Sequence, residues 1–142
     1  MFIGEYRHSI DNKSRLFIPS KFRSGVKKFI LTRGLEDCLF MYPVSSWKNI
    51  TQKLKSLPLA KSEARAFSRI LLSGAAQCSI DRQGRILVPQ NLGSFANVKK
   101  NVVIIGVLDR IEIWSVENWN SYSGKSIKSF TELAEKLIDL GI

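Results

Sequence analysis

Short apolar runs separated by polar turns predict that the first third of the chain is built from strands. The predicted strands are, in order, 2–10, 16–18, 29–32 and 39–42. A tight polar turn at Asp11–Arg15 separates the first two strands. Pro19 ends the second strand because proline donates no hydrogen bond to a strand ladder, and it can begin a short helical turn over residues 20–24.

The same pattern returns in the second half of the chain. Residues 8–23 match residues 78–93 at an offset of 70, with five identical residues among 16 aligned positions, where chance gives about one. The identical residues of the first copy are Ser9, Ile10, Asp11, Arg15 and Pro19. The match resumes at an offset of 72, and the second copy has predicted strands at 86–88, 102–105 and 111–114. The chain therefore contains a duplicated module.

Module size bears on how the two copies fold. A module of about 45 residues with four short strands rarely buries enough apolar surface to fold alone, so we expect the two modules to interlock into one core. The predicted fold class is mostly β with packing helices (α+β). The predicted division of the chain is 5–47 for the first module, 48–75 for a helical connector, 76–119 for the second module and 120–142 for a C-terminal helical segment.

Helical spacing of apolar residues predicts three further helices. The first is capped by Ser45–Ser46 and stopped by Pro58. The second spans residues 62–72, with Gly74 just beyond its end. The third follows Gly124, and its apolar face consists of Ile127, Phe130, Ala134, Leu137 and Ile138. These faces are typical of core packing or of a subunit interface.

The net charge of the chain indicates a class of binding partner. The 142 residues include 22 Lys and Arg against 12 Asp and Glu, a formal net charge of +10. Residues 1–71 carry +9 of this charge and residues 72–142 carry +1. A basic surface concentrated in one half favours a polyanionic partner such as nucleic acid. A basic surface that is merely solvated is the alternative.

Membrane insertion and secretion are not expected. The longest apolar stretch, residues 102–108, is far shorter than the roughly 20 residues that a membrane span requires. The N-terminus reaches a charged residue at Glu5, so the apolar core of a secretory signal is missing. We therefore expect a cytoplasmic protein.

Few residues in the sequence are candidates for catalysis or for metal binding. Cys38 and Cys78 lie 40 positions apart, and His8 is the only histidine, so we expect two reduced thiols packed as small hydrophobes and no metal site. His8 stands where the second module has Cys78, so neither copy sustains an acid–base pair, and no glycine-rich phosphate loop occurs. We expect no catalytic residues, no cofactor and no small-molecule substrate.

A family resemblance rests on the repeated motif. The pattern Ser-Ile-Asp-x-x-x-Arg-hydrophobic-x-hydrophobic-Pro, at residues 9–19 and again at 79–89, resembles the SpoVT-AbrB DNA-binding module. Further segments resemble the MraZ family of bacterial transcriptional regulators along nearly the whole chain; they lie at 4–11, 19–23, 31–35, 57–59, 64–67 and 106–114.

The resemblance implies a fold, an assembly and a function. It implies a swapped-hairpin barrel made from the two modules, and a homo-oligomer with its subunits arranged in a ring. It also implies a nucleoid-associated regulator that binds double-stranded DNA at short direct repeats upstream of a division and cell-wall gene cluster, its own promoter included. One residue departs from the family turn: Ser14 stands where glycine is expected, as at Gly84. If that position needs a positive φ, the serine costs up to about 1 kcal/mol.

The repeated turns hold the candidate DNA-binding residues. Arg15 and Arg85 each leave a strand at the mouth of a tight turn, and a planar guanidinium suits guanine or phosphate. Asp11 and Asp81 can bond turn amides and orient the arginines, and with Gly84 they are expected to shape the turns rather than bind DNA. The other expected DNA-binding residues are Lys13, Arg82, Gln83, Arg7, Lys21 and Arg23.

Other interpretations of these turns stay open. An Asp and an Arg four residues apart can form a structural surface pair worth less than about 1 kcal/mol, although recurrence in both modules favours a shared binding role. An antitoxin-like protein-binding module and an RNA-binding module fit the same basic hairpins. Charge and hairpins alone do not separate DNA from RNA.

Overall fold

The computed structural model describes residues 1–141 of the chain. These residues form eight strands, which follow one another in pairs with helices after each pair. The strands are β1 (Phe2–Ser9), β2 (Arg15–Phe17), β3 (Lys28–Arg33), β4 (Leu39–Pro43), β5 (Ala76–Ser79), β6 (Arg85–Leu87), β7 (Asn101–Leu108) and β8 (Arg110–Ser115). The α-helices are α1 (Ser20–Arg23), α2 (Val44–Lys55), α3 (Ser62–Ser73), α4 (Gln90–Phe95), α5 (Val116–Lys128) and α6 (Phe130–Lys136), followed by a short 3-10 helix at Ile138–Leu140. The predicted α+β class and the duplicated order of elements are confirmed.

Strand pairing joins the two modules. The larger sheet has six strands in the order β1-β7-β8-β4-β3-β5, and a second sheet pairs β2 with β6. Both sheets are antiparallel. The first strand of each module therefore pairs with the third strand of the other module, and β4 pairs with β8 between them. The expected interlocking of the modules is confirmed.

The hydrophobic core draws on both modules and both sheets. Leu16 and Ile86 of the two-stranded sheet are buried in one cluster with Leu31 and Ile104 of the six-stranded sheet. Phe22 of α1 joins the cluster and meets the ring of Tyr6 edge to face, with centroids 5.2 Å apart. The small sheet thus packs against one face of the large one, and neither module has a separate core.

Gly106 allows β1 and β7 to approach closely. Gly4 and Gly106 lie opposite each other in the antiparallel register. A Cβ atom at Gly106 would lie 2.4 Å from the backbone nitrogen of Ile3 and 2.5 Å from the carbonyl carbon of Phe2. Backbone atoms cannot give way as a flexible side chain can, so residue 106 must be glycine for this pairing.

The first predicted helix begins earlier than expected. Helix α2 starts at Val44, directly after Pro43, and no side chain caps its first turn. The predicted cap at Ser45–Ser46 is therefore wrong. Pro43 is the N-cap residue, with φ at −55° and ψ at 148°, so Ser45 and Ser46 lie inside the first turn and not at the position from which a side chain caps it. The predicted helix over 62–72 is confirmed by α3, and Gly74 is its C-terminal cap residue.

The C-terminal helices also differ from the prediction. Helix α5 continues through Gly124 to Lys128, and the break before α6 falls at Ser129. The expected single helix after Gly124 is therefore wrong. Glycine costs a helix only about 1 kcal/mol, and the packing of Trp119 and Tyr122 on Trp114, with ring centroids 5.3 and 5.1 Å apart, holds α5 in place.

The predicted division of the chain can be placed on these elements. The boundary between residues 47 and 48 lies inside α2, and the boundary between 119 and 120 lies inside α5. The last residue of the predicted C-terminal segment, Ile142, lies outside the described residues. The four-part division remains a prediction about function rather than about separate folding units.

Both cysteines are free and buried, as expected. Burial raises the pKa of Cys78 to about 11, and it raises the pKa of Cys38 further above its ordinary value. Within residues 1–141, every helix is too short or too polar to cross a bilayer.

We expect Gly106→Ala to lower the free energy of unfolding by about 1–3 kcal/mol, because the added methyl group must push two paired strands apart. Gly124→Ala is the matched control, since a Cβ there meets no atom within 4 Å, and the better helix former should raise stability by roughly 0.5–1 kcal/mol. Urea unfolding followed by circular dichroism, at one protein concentration, measures both. Equal stability of the two variants would contradict the close approach of β1 and β7.

Candidate nucleic-acid interface

The first turn is organised by the carboxylate of Asp11. Its Oδ1 atom accepts hydrogen bonds from the backbone N–H groups of Lys13 and Arg15, both at 2.9 Å. Its Oδ2 atom accepts a bond from Nε of Arg15 at 2.7 Å. The backbone also closes on itself, because the N–H of Asp11 donates to the carbonyl of Arg15 at 3.0 Å. One short side chain therefore shapes the turn and aims the arginine.

The second turn repeats this geometry. Oδ1 of Asp81 accepts from the backbone N–H groups of Gln83 and Arg85 at 2.9 and 2.8 Å. Oδ2 of Asp81 accepts from Nε of Arg85 at 3.0 Å. The loop-orienting role expected of the two aspartates thus has the same hydrogen bonds in both copies.

Cross-module pairing brings the two turns side by side. The N–H of Ile18 donates to the carbonyl of Gly84 at 2.9 Å, and the N–H of Val88 donates to the carbonyl of Ser14 at 2.8 Å. The Nη1 atom of Arg85 also lies 3.8 Å from Oδ2 of Asp11. The two Asp–Arg pairs therefore form one cluster, which we call the paired turns (residues 11–15 and 81–85).

The paired turns carry excess positive charge. Each turn has two cationic side chains and one carboxylate: Lys13 and Arg15 with Asp11, and Arg82 and Arg85 with Asp81. The backbone N–H of Arg15 is the main cause that lowers the pKa of Asp11, and the N–H of Arg85 lowers the pKa of Asp81 in the same way. Both carboxylates therefore stay ionised at neutral pH and hold the turns in shape.

Residues 14 and 84 adopt the left-handed conformation that the turns require. The φ angle is 61° at Ser14 and 81° at Gly84. The turn therefore does need a positive φ at position 14, and the serine there occupies a region that L-residues rarely adopt. The hydrogen bonds of the first turn are formed despite this strain.

The other expected DNA-binding residues divide into two groups. Lys13, Arg82 and Gln83 are exposed on the paired turns, and Lys21 is exposed on α1. Arg7 lies instead beside α5, where its Nη2 atom is 3.4 Å from a carboxylate oxygen of Glu5 and 3.5 Å from the amide oxygen of Asn120. It faces that way because its neighbour Tyr6 points into the core, and side chains alternate along a strand.

Arg23 is near the second turn but is engaged by the protein. Its Nε atom donates to the carbonyl of Ile18 at 2.7 Å, and its guanidinium lies over the ring of Phe17, 5.0 Å from the centroid. Phe17 and the backbone of Ile18 belong to this region although neither was among the predicted site residues. In the repeat alignment Phe17 corresponds to Leu87, and this difference between the copies could have indicated a special role for the aromatic ring.

Few groups near the turns could take part in metal or acid–base chemistry. His8 packs edge to face on Phe17 at 5.1 Å, and burial lowers its pKa. Among residues 1–141 there is no cluster of three or more His, Cys, Asp or Glu side chains with the geometry to hold a metal ion. The chemistry of the paired turns is therefore that of hydrogen-bond donors and positive charge.

Comparison with known proteins identifies full-length relatives. A family model described as "MraZ protein, putative antitoxin-like" matches residues 1–70 and again residues 71–141. The transcriptional regulator MraZ of Natranaerobius thermophilus is 51% identical over 143 aligned positions, covering 100% of both chains. Proteins of the same name from Pelotomaculum thermopropionicum and Thermoanaerobacter sp. strain X514 are 52% and 54% identical, and cover 100% of this chain and 99% and 100% of their own.

We expect Asp11 and Asp81 to titrate below the ordinary carboxyl pKa of 3.8, because their N–H partners stabilise the charged form. With a lowered folded pKa, their contribution to stability is present above the unfolded pKa and is lost as the pH falls through the folded pKa. Carboxyl carbon chemical shifts measured against pH test this, and the urea-unfolded chain is the control. Equal pKa values in the folded and unfolded chain would show that the turn hydrogen bonds do not form.

Proposed function

The chain belongs to the MraZ family, and on that premise we propose that it regulates transcription by binding short direct repeats in double-stranded DNA. The repeats lie upstream of a division and cell-wall gene cluster, and the protein's own promoter is among the targets. Its relatives are named transcriptional regulators, a role that is not enzymatic. We assign the protein to the cytoplasm at the nucleoid, with no membrane and no small-molecule partner.

The paired turns are the observation that carries this proposal. Arg15 and Arg85 are each fixed through Nε, which leaves their terminal nitrogens to donate to guanine or to phosphate oxygens. A guanidinium held in one orientation favours base recognition, because the arginine side chain loses less conformational freedom on binding. We assign the surrounding residues Lys13, Lys21, Arg82 and Gln83 to contacts with the DNA backbone.

We further propose that the two sheets act as one swapped-hairpin barrel. The side chains of β2 and β6 share a core with the six-stranded sheet, and the edge strand of each module pairs with the other module. In this arrangement the modules 5–47 and 76–119 supply the DNA-binding frame. The connector 48–75 and the C-terminal segment 120–142 supply contacts between subunits.

Exposed apolar side chains outside the DNA-binding frame support assembly into a homo-oligomeric ring. Phe67 and Ile70 of α3 are 46% and 57% exposed beside an apolar cleft of about 380 Å³, and Ile127 and Phe130 are 73% and 74% exposed. The connector is rich in Lys and Arg, whereas the segment from Phe130 onward contains three carboxylates and one lysine. These complementary surfaces suit a head-to-tail contact, which forms a ring when the rotation between neighbouring subunits closes.

A second candidate function comes from the family description, which includes the word antitoxin-like. In that function the basic hairpins would bind DNA while a different surface holds a protein partner. A protein that copurifies at fixed stoichiometry from the source cell, in place of enriched DNA repeats, would favour this candidate.

We expect Arg15→Ala and Arg85→Ala each to weaken binding to the cognate repeat by more than about 1 kcal/mol, because each removes a fixed guanidinium from the reading surface. Arg15→Ala should have the larger effect, since residues 1–71 carry +9 of the charge. The cognate duplex is identified by sequencing genomic fragments that the wild-type protein retains. Titration at fixed salt against cognate and scrambled duplexes measures the change.

Lys48→Ala is the matched control for these variants. It removes one positive charge from the exposed face of α2, outside the paired turns, so it should leave the ratio of affinities for the cognate and scrambled duplexes unchanged even where it weakens contacts between subunits. Circular dichroism verifies the fold of each variant. If Arg15→Ala binds the cognate duplex with wild-type affinity, the Asp11–Arg15 pair has only a structural role.

We expect sedimentation to give a mass that is a multiple of 16.1 kDa and that falls when Phe130 is replaced by glutamate. The substitution places a charge in an exposed apolar face, so it should disrupt contacts between subunits without disturbing the core. Lys136→Glu, a charge change on the same helix, is the control. A monodisperse monomer for the wild-type protein would refute the ring.

A further inference from the structure

In and beside the paired turns, the repeat relates two pairs of positions at which one copy has glycine and the other does not. At the offset of 70, Ser14 corresponds to Gly84, and Arg23 corresponds to Gly93. The second turn contains Gly84 and lies beside Arg23 of α1. The first turn contains Ser14 and lies beside Gly93 of α4. The hydrogen bonds of the two turns are otherwise alike.

Arg23 packs directly against the second turn. A Cβ atom at Gly84 would lie 2.7 Å from Cζ of Arg23, so the missing side chain makes room for the guanidinium. The same guanidinium is bonded to the carbonyl of Ile18 and stacked on Phe17. Ile18 in turn donates its N–H to Gly84 at 2.9 Å. One arginine of the first module therefore ties together the chain segment and the turn that meet there.

The corresponding place beside the first turn is an open cleft. The cleft measures about 390 Å³, and Ser14, Val88 and Gly93 are among its lining residues. A Cβ atom at Gly93 would meet only a methyl group of Val88, at 4.0 Å. Val88 still donates its N–H to Ser14 at 2.8 Å. The first turn thus keeps its backbone pairing, and Nη1 of Arg85 lies 3.8 Å from its Asp11 carboxylate. No arginine fills the cleft beside Ser14 in the way that Arg23 fills the space beside Gly84.

From this asymmetry we propose that Arg23 is a positioning residue, which holds the second turn in the geometry that faces DNA, and that the first turn is the more adaptable reader. The inference rests on the proposed function, in which the paired turns recognise DNA. A fixed turn loses little freedom on binding, whereas an adaptable turn can follow differences between one repeat and the next.

The contacts of Arg23 separate this role from a direct contact with phosphate. Its Nε proton is already donated to a carbonyl, its planar face lies on an aromatic ring, and the residue is half-buried. A contact with phosphate exists only when DNA is bound, so its loss should leave the turns of the free protein unchanged. A stacked guanidinium with one committed donor uses a shape that lysine lacks.

Amide hydrogen exchange in the free protein tests the positioning role. The N–H groups of Gln83, Gly84 and Arg85 are bonded within the second turn, and those of Lys13, Ser14 and Arg15 within the first. Arg23→Ala should speed exchange in the second turn by about fivefold or more and leave the first turn unchanged. Unchanged exchange in the second turn would overturn the proposal.

Arg23→Lys separates the two roles in DNA binding. If Arg23 positions the turn, the lysine variant should keep the fast exchange of the alanine variant and lose discrimination between the cognate duplex and single-base variants of it. If instead neither variant changes exchange in the free protein and lysine keeps wild-type binding, the charge alone is sufficient, and Arg23 is a phosphate contact rather than a positioning residue.

A graft tests the same idea by gain rather than loss. The double variant Ser14→Gly/Gly93→Arg places the arginine and its glycine beside the first turn, and exchange of residues 13–15 should slow. It provides the test if Arg23→Ala fails to fold, and unchanged exchange in the folded graft would overturn the proposal. Exchange is measured without DNA, so a wild-type protein that binds no duplex would refute the proposed function and not this inference.

Discussion

The structure depends on strand exchange between two modules of one chain. Strand β1 lies on β7 of the second module, β5 lies on β3 of the first, and β2 pairs with β6. Neither set of four strands is complete without the other, and the shared core follows from this pairing. The side-by-side placement of the two turns is a further result, because the hydrogen bonds from Ile18 to Gly84 and from Val88 to Ser14 exist only when the modules interlock.

Local pattern predicted the elements well but did not specify their partners. Seven of the eight strands were predicted to within a few residues, whereas β5 had no predicted range, and Gly74 marked the end of α3 and Pro19 the start of α1. Pairing across modules could not be derived, because periodicity reports which face of a strand is buried and not which strand lies beside it. The course of α5 through Gly124 was also missed, because contacts with Trp114 outweigh the low helix propensity of glycine.

The candidate site was predictable in its centre and not at its edges. Repetition of an aspartate and an arginine at the same spacing identified the turn geometry, and the same three hydrogen bonds occur in each copy. The different surroundings of Arg7 and Arg23 depend on strand direction and on contacts distant in the sequence. Duplication within one chain permits such differences, because each copy can change alone, whereas two identical subunits must change together.

The register of β1 has a consequence for how the protein is made. Phe2 pairs with Leu108 and Ser9 with Asn101, so β1 is synthesised well before the strand with which it pairs. Until then its backbone donors and acceptors are exposed on a growing polypeptide, where other nascent strands can pair with them. Pairing between residues so distant in sequence is also slow to form. Folding is therefore completed after translation of both modules, and a prematurely terminated message yields a chain without its fold.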